Sequence, residues 1–123
     1  MHPALQLAAP DGLPYNLSHS HIYHSSEMGQ DAWVDAVLGN RSGLFVVESG
    51  AHDGEQASNS LWLERARGWS CLLVEPNPIT RQMLIAKHRQ CHVLRAPHPR
   101  SYLRTHTCRS LTAHALSHLL PPL

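Results

Sequence analysis

Two short stretches of this sequence carry a carboxylate where an apolar run gives way to a turn. The first is Phe45-Val46-Val47-Glu48-Ser49-Gly50-Ala51-His52-Asp53-Gly54, and the second is Cys71-Leu72-Leu73-Val74-Glu75-Pro76-Asn77-Pro78. Each reads as a buried strand ending on an acid, with a helix-length segment between them. Ligands of open parallel sheets bind outside the carboxyl ends of the strands, so both acids fall where a ligand would sit. Gly50 allows a sharp turn there, and Gly54 allows backbone to approach a ligand without a Cβ in the way. Glu48 can accept a hydrogen bond from a ligand amine or order the loop. Glu75 follows Gly54 by about twenty residues, the spacing at which a nucleotide fold places an acid on ribose hydroxyls. A carboxylate suits that task because it accepts two hydrogen bonds from a vicinal diol.

Phosphate chemistry fits the loop less well. A dinucleotide fingerprint asks for G-x-G-x-x-G, whereas His52 and Asp53 occupy the middle of this loop, and Asp53 repels a pyrophosphate. A nucleoside ligand that carries cations instead, such as S-adenosylmethionine with its sulfonium and ammonium groups, suits Glu48 and Asp53 better. Glu48, Gly50, Ala51, Asp53, Gly54 and Glu75 are therefore the candidate cofactor-binding residues. No catalytic residue is singled out: Asp53 is readable as a general base beside the methyl donor, but a loop carboxylate that orders its own turn is the commoner case.

The elements that must hold these residues alternate along the chain. Trp33, Val34, Val37 and Leu38 share one helical face between Gln30 and Leu38, and Gly39 to Gly43 supply turn chemistry. Leu44–Val47 and Cys71–Val74 are continuous apolar runs, as expected for strands covered on both faces of a parallel sheet. A helix is predicted over 56–67, stopped by Gly68, and a second over 79–89 with Arg81, Lys87 and Arg89 facing outward. Cys91–Leu94 is a third, shorter strand. The order α-β-α-β-α-β predicts an α/β fold, a partial Rossmann-like sheet of about three parallel strands with crossover helices. Residues 1–27 read as a flexible lead-in and 28–96 as the partial domain. Residues 97–123 read as a disordered tail in which Leu111, Ala115 and Leu119 form one weak apolar line.

Composition narrows the remaining possibilities. A chain of 123 residues is enough for one domain, and 42% apolar residues are compatible with a core. The net charge of +1 gives no general argument for nucleic acid or an anionic membrane. All nine carboxylates lie at or before Glu75, and the basic residues after Ala96 are sparse. No run reaches the length of a membrane span or a signal sequence. Three cysteines without C-x-x-C spacing predict no disulfide framework and favour a reducing, cytoplasmic setting. His19, His21 and His24 lack a fourth ligand for a metal. No G-x-S-x-G supports a serine nucleophile.

The combination of Met28-Gly29-Gln30-Asp31-Ala32-Trp33-Val34 with the Glu48-to-Glu55 loop, Ser58-Asn59-Ser60-Leu61-Trp62-Leu63-Glu64, and Gly68 through Val74-Glu75-Pro76-Asn77-Pro78 resembles the FkbM-type methyltransferases, in particular their Star-like animal branch. The resemblance runs from about Ser26 to Ala96. It implies a class I methyltransferase fold, S-adenosylmethionine as the small-molecule methyl donor, and oxygen methylation of an acceptor the sequence does not identify. It also implies cofactor roles for Glu48, Gly50, Gly54 and Glu75. The family's later acidic D-x-E-G-type motif has no counterpart, since no acid follows Glu75. The change of composition at Ala96 is what an alternative exon or a shifted reading frame would produce, so a truncated isoform is expected. Two functions stay open: an active methyltransferase, or a catalytically inactive fragment that acts through a protein partner, as trafficking-related Star-like proteins suggest.

Overall fold

The computed structural model describes residues 5–19 and 24–95. Their elements are β1 (Gln6–Ala8), α1 (Gln30–Val37), β2 (Phe45–Ser49), α2 (Leu61–Arg67), β3 (Ser70–Val74), α3 (Pro78–Ala86) and β4 (His92–Arg95). The predicted tail lies outside the described residues.

The four strands form one sheet in the order β1-β4-β3-β2. β2 pairs parallel with β3, and β3 parallel with β4, in register from Phe45↔Ser70 to Ser49↔Val74 and from Leu72↔His92 to Val74↔Leu94. β1 runs antiparallel to β4, pairing Leu7 with Leu94. The molecule is thus mixed α/β rather than purely parallel. The three parallel strands expected from the apolar runs are present, and a fourth comes from the segment read as a flexible lead-in. Gln6–Ala8 carries no strand pattern of its own, and β4 supplies the partner that makes it one. Further along, Asn16 N–H donates to the Lys87 carbonyl at 2.9 Å and its side chain to the Ala86 carbonyl at 3.1 Å. Residues 5–19 are therefore strapped across the end of α3.

The core forms on one face of this sheet. Cys71, Leu73 and Val93 cluster with Ala51, Leu84 and Cys91, and Ala8, Val46 and Ile85 pack around them. Cys71 and Cys91 are joined by a disulfide, with Cα atoms 4.7 Å apart. The register explains why: Leu72 pairs with His92, so the preceding residues stand opposite each other one strand spacing apart, within disulfide reach. The expectation of no disulfide is corrected here. An odd cysteine count does not exclude a pair.

Helix α1 is inverted relative to its sequence pattern. Trp33 and Val37 are 67% and 60% exposed, whereas Asp31 and Asp35 are buried. Each acid has partners that draw it inward. Asp31 accepts from the Ser25 amide at 2.9 Å and from the Ser26 hydroxyl, and Asp35 takes a two-point contact from Arg67 at 2.9 and 2.8 Å. A bidentate guanidinium–carboxylate pair outweighs the apolar stripe in setting which side of this short helix faces in. Helix α2 begins later than predicted, because residues 58–60 are held in an irregular conformation by Glu48. Helix α3 starts on an Asn77 cap, whose side chain accepts from Ile79 N–H at 2.9 Å. It ends earlier than predicted because His88 adopts a left-handed conformation with φ 52°. That turn brings Arg89, predicted outward, into the interior.

Acid sensitivity follows from the same contacts. The Arg67 guanidinium beside Asp35 holds its carboxyl below the ordinary 3.8, and the His88 contact does so for Asp11. A depressed folded-state value means stability that is present above the unfolded value and lost as pH falls through the folded one. The urea midpoint should therefore be flat from pH 7 to about 5 and fall below pH 4, and Asp35→Asn should make that fall shallower.

Candidate functional site

Strand β2 delivers Glu48 to its carboxyl end, only 6% exposed. One carboxylate oxygen accepts from Asn59 N–H at 2.7 Å, and the other accepts from the Ser58 and Ser60 hydroxyls. Glu48 thereby pins the 58–60 segment that leads into α2. The next residues turn back over β3: Gly50 and Ala51 N–H both donate to the Val74 carbonyl, at 2.8 and 3.1 Å. Gly50 has φ 80° with open space where a Cβ would stand, so here glycine serves the turn.

Glu75, at the end of β3, accepts His52 N–H at 2.7 Å on one oxygen and Asn77 N–H at 2.8 Å on the other. Asp53 accepts from the amides of Glu55 and Gln56 at 2.9 and 2.8 Å. Its partial burial opposes ionisation, but these two amides, helped by His52 and Lys87, hold its carboxyl below the usual value. Gly54 has φ 80°, and a Cβ added there would stand inside the van der Waals envelope of Leu84 Cδ1. Leu84 is fully buried, so its side chain can make room only by repacking the core around it. Gly54→Ala should cost about 2 kcal/mol from left-handed strain plus overpacking, read as a lowered urea midpoint. Pairing it with Leu84→Ala should show coupling, because the second change removes the atom in the way.

A cavity of about 660 Å³ opens beside this loop, lined by Glu27, Glu48, Gly50, Ala51, His52 and Asn59 together with Ser25, Gln56 and Ala57. Three of the six residues proposed from sequence, Glu48, Gly50 and Ala51, therefore meet at one cavity. Asp53, Gly54 and Glu75 do not line it: Asp53 caps the loop, Gly54 packs under α3, and Glu75 supports the loop from behind through His52. Sequence reasoning missed Ser25 and Glu27, which lie in an irregular segment without any periodic signal. Asn59 was visible in its Ser-Asn-Ser-Leu segment, but without a role. The structure gives it one, since its amide is a Glu48 donor and the residue lines the cavity. Among the described residues the lining acids are Glu27 and Glu48, and no Lys or Arg joins them.

Behind the loop lies a buried ionic centre that the sequence did not announce. The Arg89 side chain is inaccessible to solvent and pairs with Glu64. It also donates to the Gly54 carbonyl and to the hydroxyls of Ser58 and Ser60, the latter at 3.3 and 3.0 Å. Glu64 further accepts the Tyr15 hydroxyl at 2.8 Å and Gln90 N–H at 2.7 Å. Burial, with the Glu64 carboxylate beside it, pushes the Tyr15 phenol well above its ordinary value. Glu64, Cys71 and Cys91 place potential metal-ligand atoms within 4.8 Å of one another. The sulfurs are bonded to each other and Arg89 holds the acid, so this cluster is structural. His19 and His24 approach different carboxylates, Glu55 at 3.7 Å and Asp31 at 3.5 Å, and His21 lies outside the described residues. Among the described residues no helix is long and apolar enough to cross a membrane.

No family model, no curated protein and no solved structure matches this chain.

Proposed function

We propose that this chain is a partial Rossmann-like domain of the S-adenosylmethionine-dependent methyltransferase type, with the methyl donor held in the cavity beside the Glu48–Gly54 loop. The observation that carries this reading is the charge of that cavity: it lies at the carboxyl ends of parallel strands, and among the described residues its lining acids are Glu27 and Glu48, with no Lys or Arg facing them. Such a site favours a ligand with ammonium and sulfonium charges and disfavours a phosphate. The loop motif and its resemblance to FkbM-type proteins support the same donor. In this reading Glu48 and Glu75 keep the loop in shape, and Gly50, Ala51, His52 and Asn59 line the space the nucleoside fills. Each Glu75 oxygen keeps a lone pair free for a ribose hydroxyl, but Glu75 is buried and does not line the cavity, so taking the diol requires the loop over it to open.

A second reading, a module that binds ligand or protein without turnover, draws on the apolar residues exposed on the sheet, Phe45 and Val47 among them. The test is calorimetric titration of the folded chain with S-adenosylmethionine and S-adenosylhomocysteine. Saturable micromolar binding is expected, weakened about tenfold by Glu27→Lys, which places a cation at the exposed rim without touching the core. Absence of binding by a cooperatively folding chain rejects the donor site. Binding without methyl transfer to any offered acceptor favours the module.

A further inference from the structure

Among the described residues, the ionisable members of the cavity lining are Glu27, Glu48 and His52. Histidine is the side-chain type that gains or loses its charge in the neutral range. The backbone of His52 is firmly held. Its N–H donates to Glu75 at 2.7 Å, and its φ of 50° is left-handed, a conformation that glycine and asparagine adopt at lower cost. Non-glycine residues kept in that region cluster at functional sites, and Ala57, also on the lining, is a second one with φ 55°. The imidazole itself remains 58% exposed, with Nδ1 3.7 Å from Asp53 Oδ1. Every other charge around it is accounted for. Glu48 comes from the end of β2 and Glu27 from the segment before α1. Glu75 lies under the loop, and Lys87 acts on Asp53 from the end of α3.

Resting on the donor site proposed above, we infer that His52 reads the charge of the ligand. As a neutral imidazole it leaves Glu27 and Glu48 to a cationic guest. As an imidazolium it supplies the cation itself and turns such a guest away. The two nucleosides of methyl transfer differ in this respect. S-adenosylmethionine carries a sulfonium, an ammonium and a carboxylate, and S-adenosylhomocysteine has lost the sulfonium together with the methyl group. Protonation of His52 therefore opposes the donor more than the spent product, and the cavity's preference for the donor falls as pH falls. Two unit charges about 6 Å apart at the dielectric of water change an affinity by about threefold, which sets the size of the effect. The coupling is reciprocal, so bound donor must in turn oppose protonation of His52.

Calorimetric titration of the full chain with both nucleosides at pH 7.5 and pH 5.5, at low ionic strength, tests this. The affinity for S-adenosylmethionine should fall by about threefold or more relative to that for S-adenosylhomocysteine. His52→Asn keeps the N–H that Glu75 accepts and a residue at ease in the left-handed region, and in this variant the ratio of the two affinities should no longer change with pH. In the unmutated chain, the His52 ring-proton resonance should titrate at lower pH with S-adenosylmethionine bound than with S-adenosylhomocysteine bound. A ratio that is constant in the unmutated chain, or that changes equally in His52→Asn, overturns the proposal and leaves the donor site standing. Should His52→Asn not fold, the resonance decides, and the same titration in both complexes overturns the proposal. Absence of binding of either nucleoside at pH 7.5 rejects the donor site, and the role of His52 with it.

Discussion

Arg89→Ala is expected to lower the stability of this protein by about 3–5 kcal/mol, the cost of removing one partner of a buried ion pair. Arg89 is completely enclosed, and its partner Glu64 is nearly so. Removal leaves a buried carboxylate whose other partners, Tyr15 and the Gln90 amide, are neutral donors. Folding free energies of small domains are about 5–15 kcal/mol, so the variant stands near the unfolding threshold. Urea denaturation followed by tryptophan fluorescence measures this. A companion experiment separates charge from packing. Adding Glu64→Gln to Arg89→Met should recover much of the loss, because an unpaired charge costs more than an unpaired amide. A loss below about 1 kcal/mol for Arg89→Met alone would contradict the role assigned to the pair. The same guanidinium holds Gly54, Ser58 and Ser60, and Glu48 holds the same two serines from the cavity side. Ligand affinity should therefore fall in Arg89→Met even at temperatures where the variant stays folded.

Breaking the Cys71–Cys91 bond is expected to cost about 3 kcal/mol, since it closes a loop with a sequence separation of 20 and so restricts the unfolded chain. Both sulfurs are in the core, at 0% and 1% exposure, so the native protein should resist mild reductants and lose the bond on unfolding. Urea midpoints with and without dithiothreitol give the difference, and non-reduced peptide mapping should recover 71 and 91 in one linked fragment. Identical midpoints in both conditions would show the two thiols to be unbonded in solution. Disulfides persist in oxidising compartments, so this link sets the conditions under which the chain should be prepared, and it weighs against the reducing setting read from the cysteine count.

These two centres also mark where reading the sequence stopped working. The apolar runs at 44–47 and 71–74, their terminal acids and the glycine turn were legible because each is a local pattern within about ten residues. Glycine, proline and continuous Val/Leu runs constrain their own backbone whatever surrounds them. Helix α1 shows the opposite case. Its Trp33–Leu38 stripe obeys the helical period, yet Asp31 and Asp35 face inward because Ser25, Ser26 and Arg67 wait there. Arg89 was placed outward by extending α3, and a single left-handed residue, His88, reversed it.

The sequence by itself determined the strands β2, β3 and β4, the loop between Glu48 and Gly54, and the carboxylates at two strand ends. Only the tertiary structure decided that Glu48 and Glu75 spend their oxygens on the loop, while Gly50, Ala51 and His52 face the cavity. It alone recruited Gln6–Ala8 as a fourth strand, joined Cys71 to Cys91, and set Tyr15 on a glutamate 49 residues away. The physical reason is common to all of them. Backbone preferences act on neighbours in the chain, whereas hydrogen-bond partners for buried polar groups are chosen from whatever packing brings within 3 Å or so.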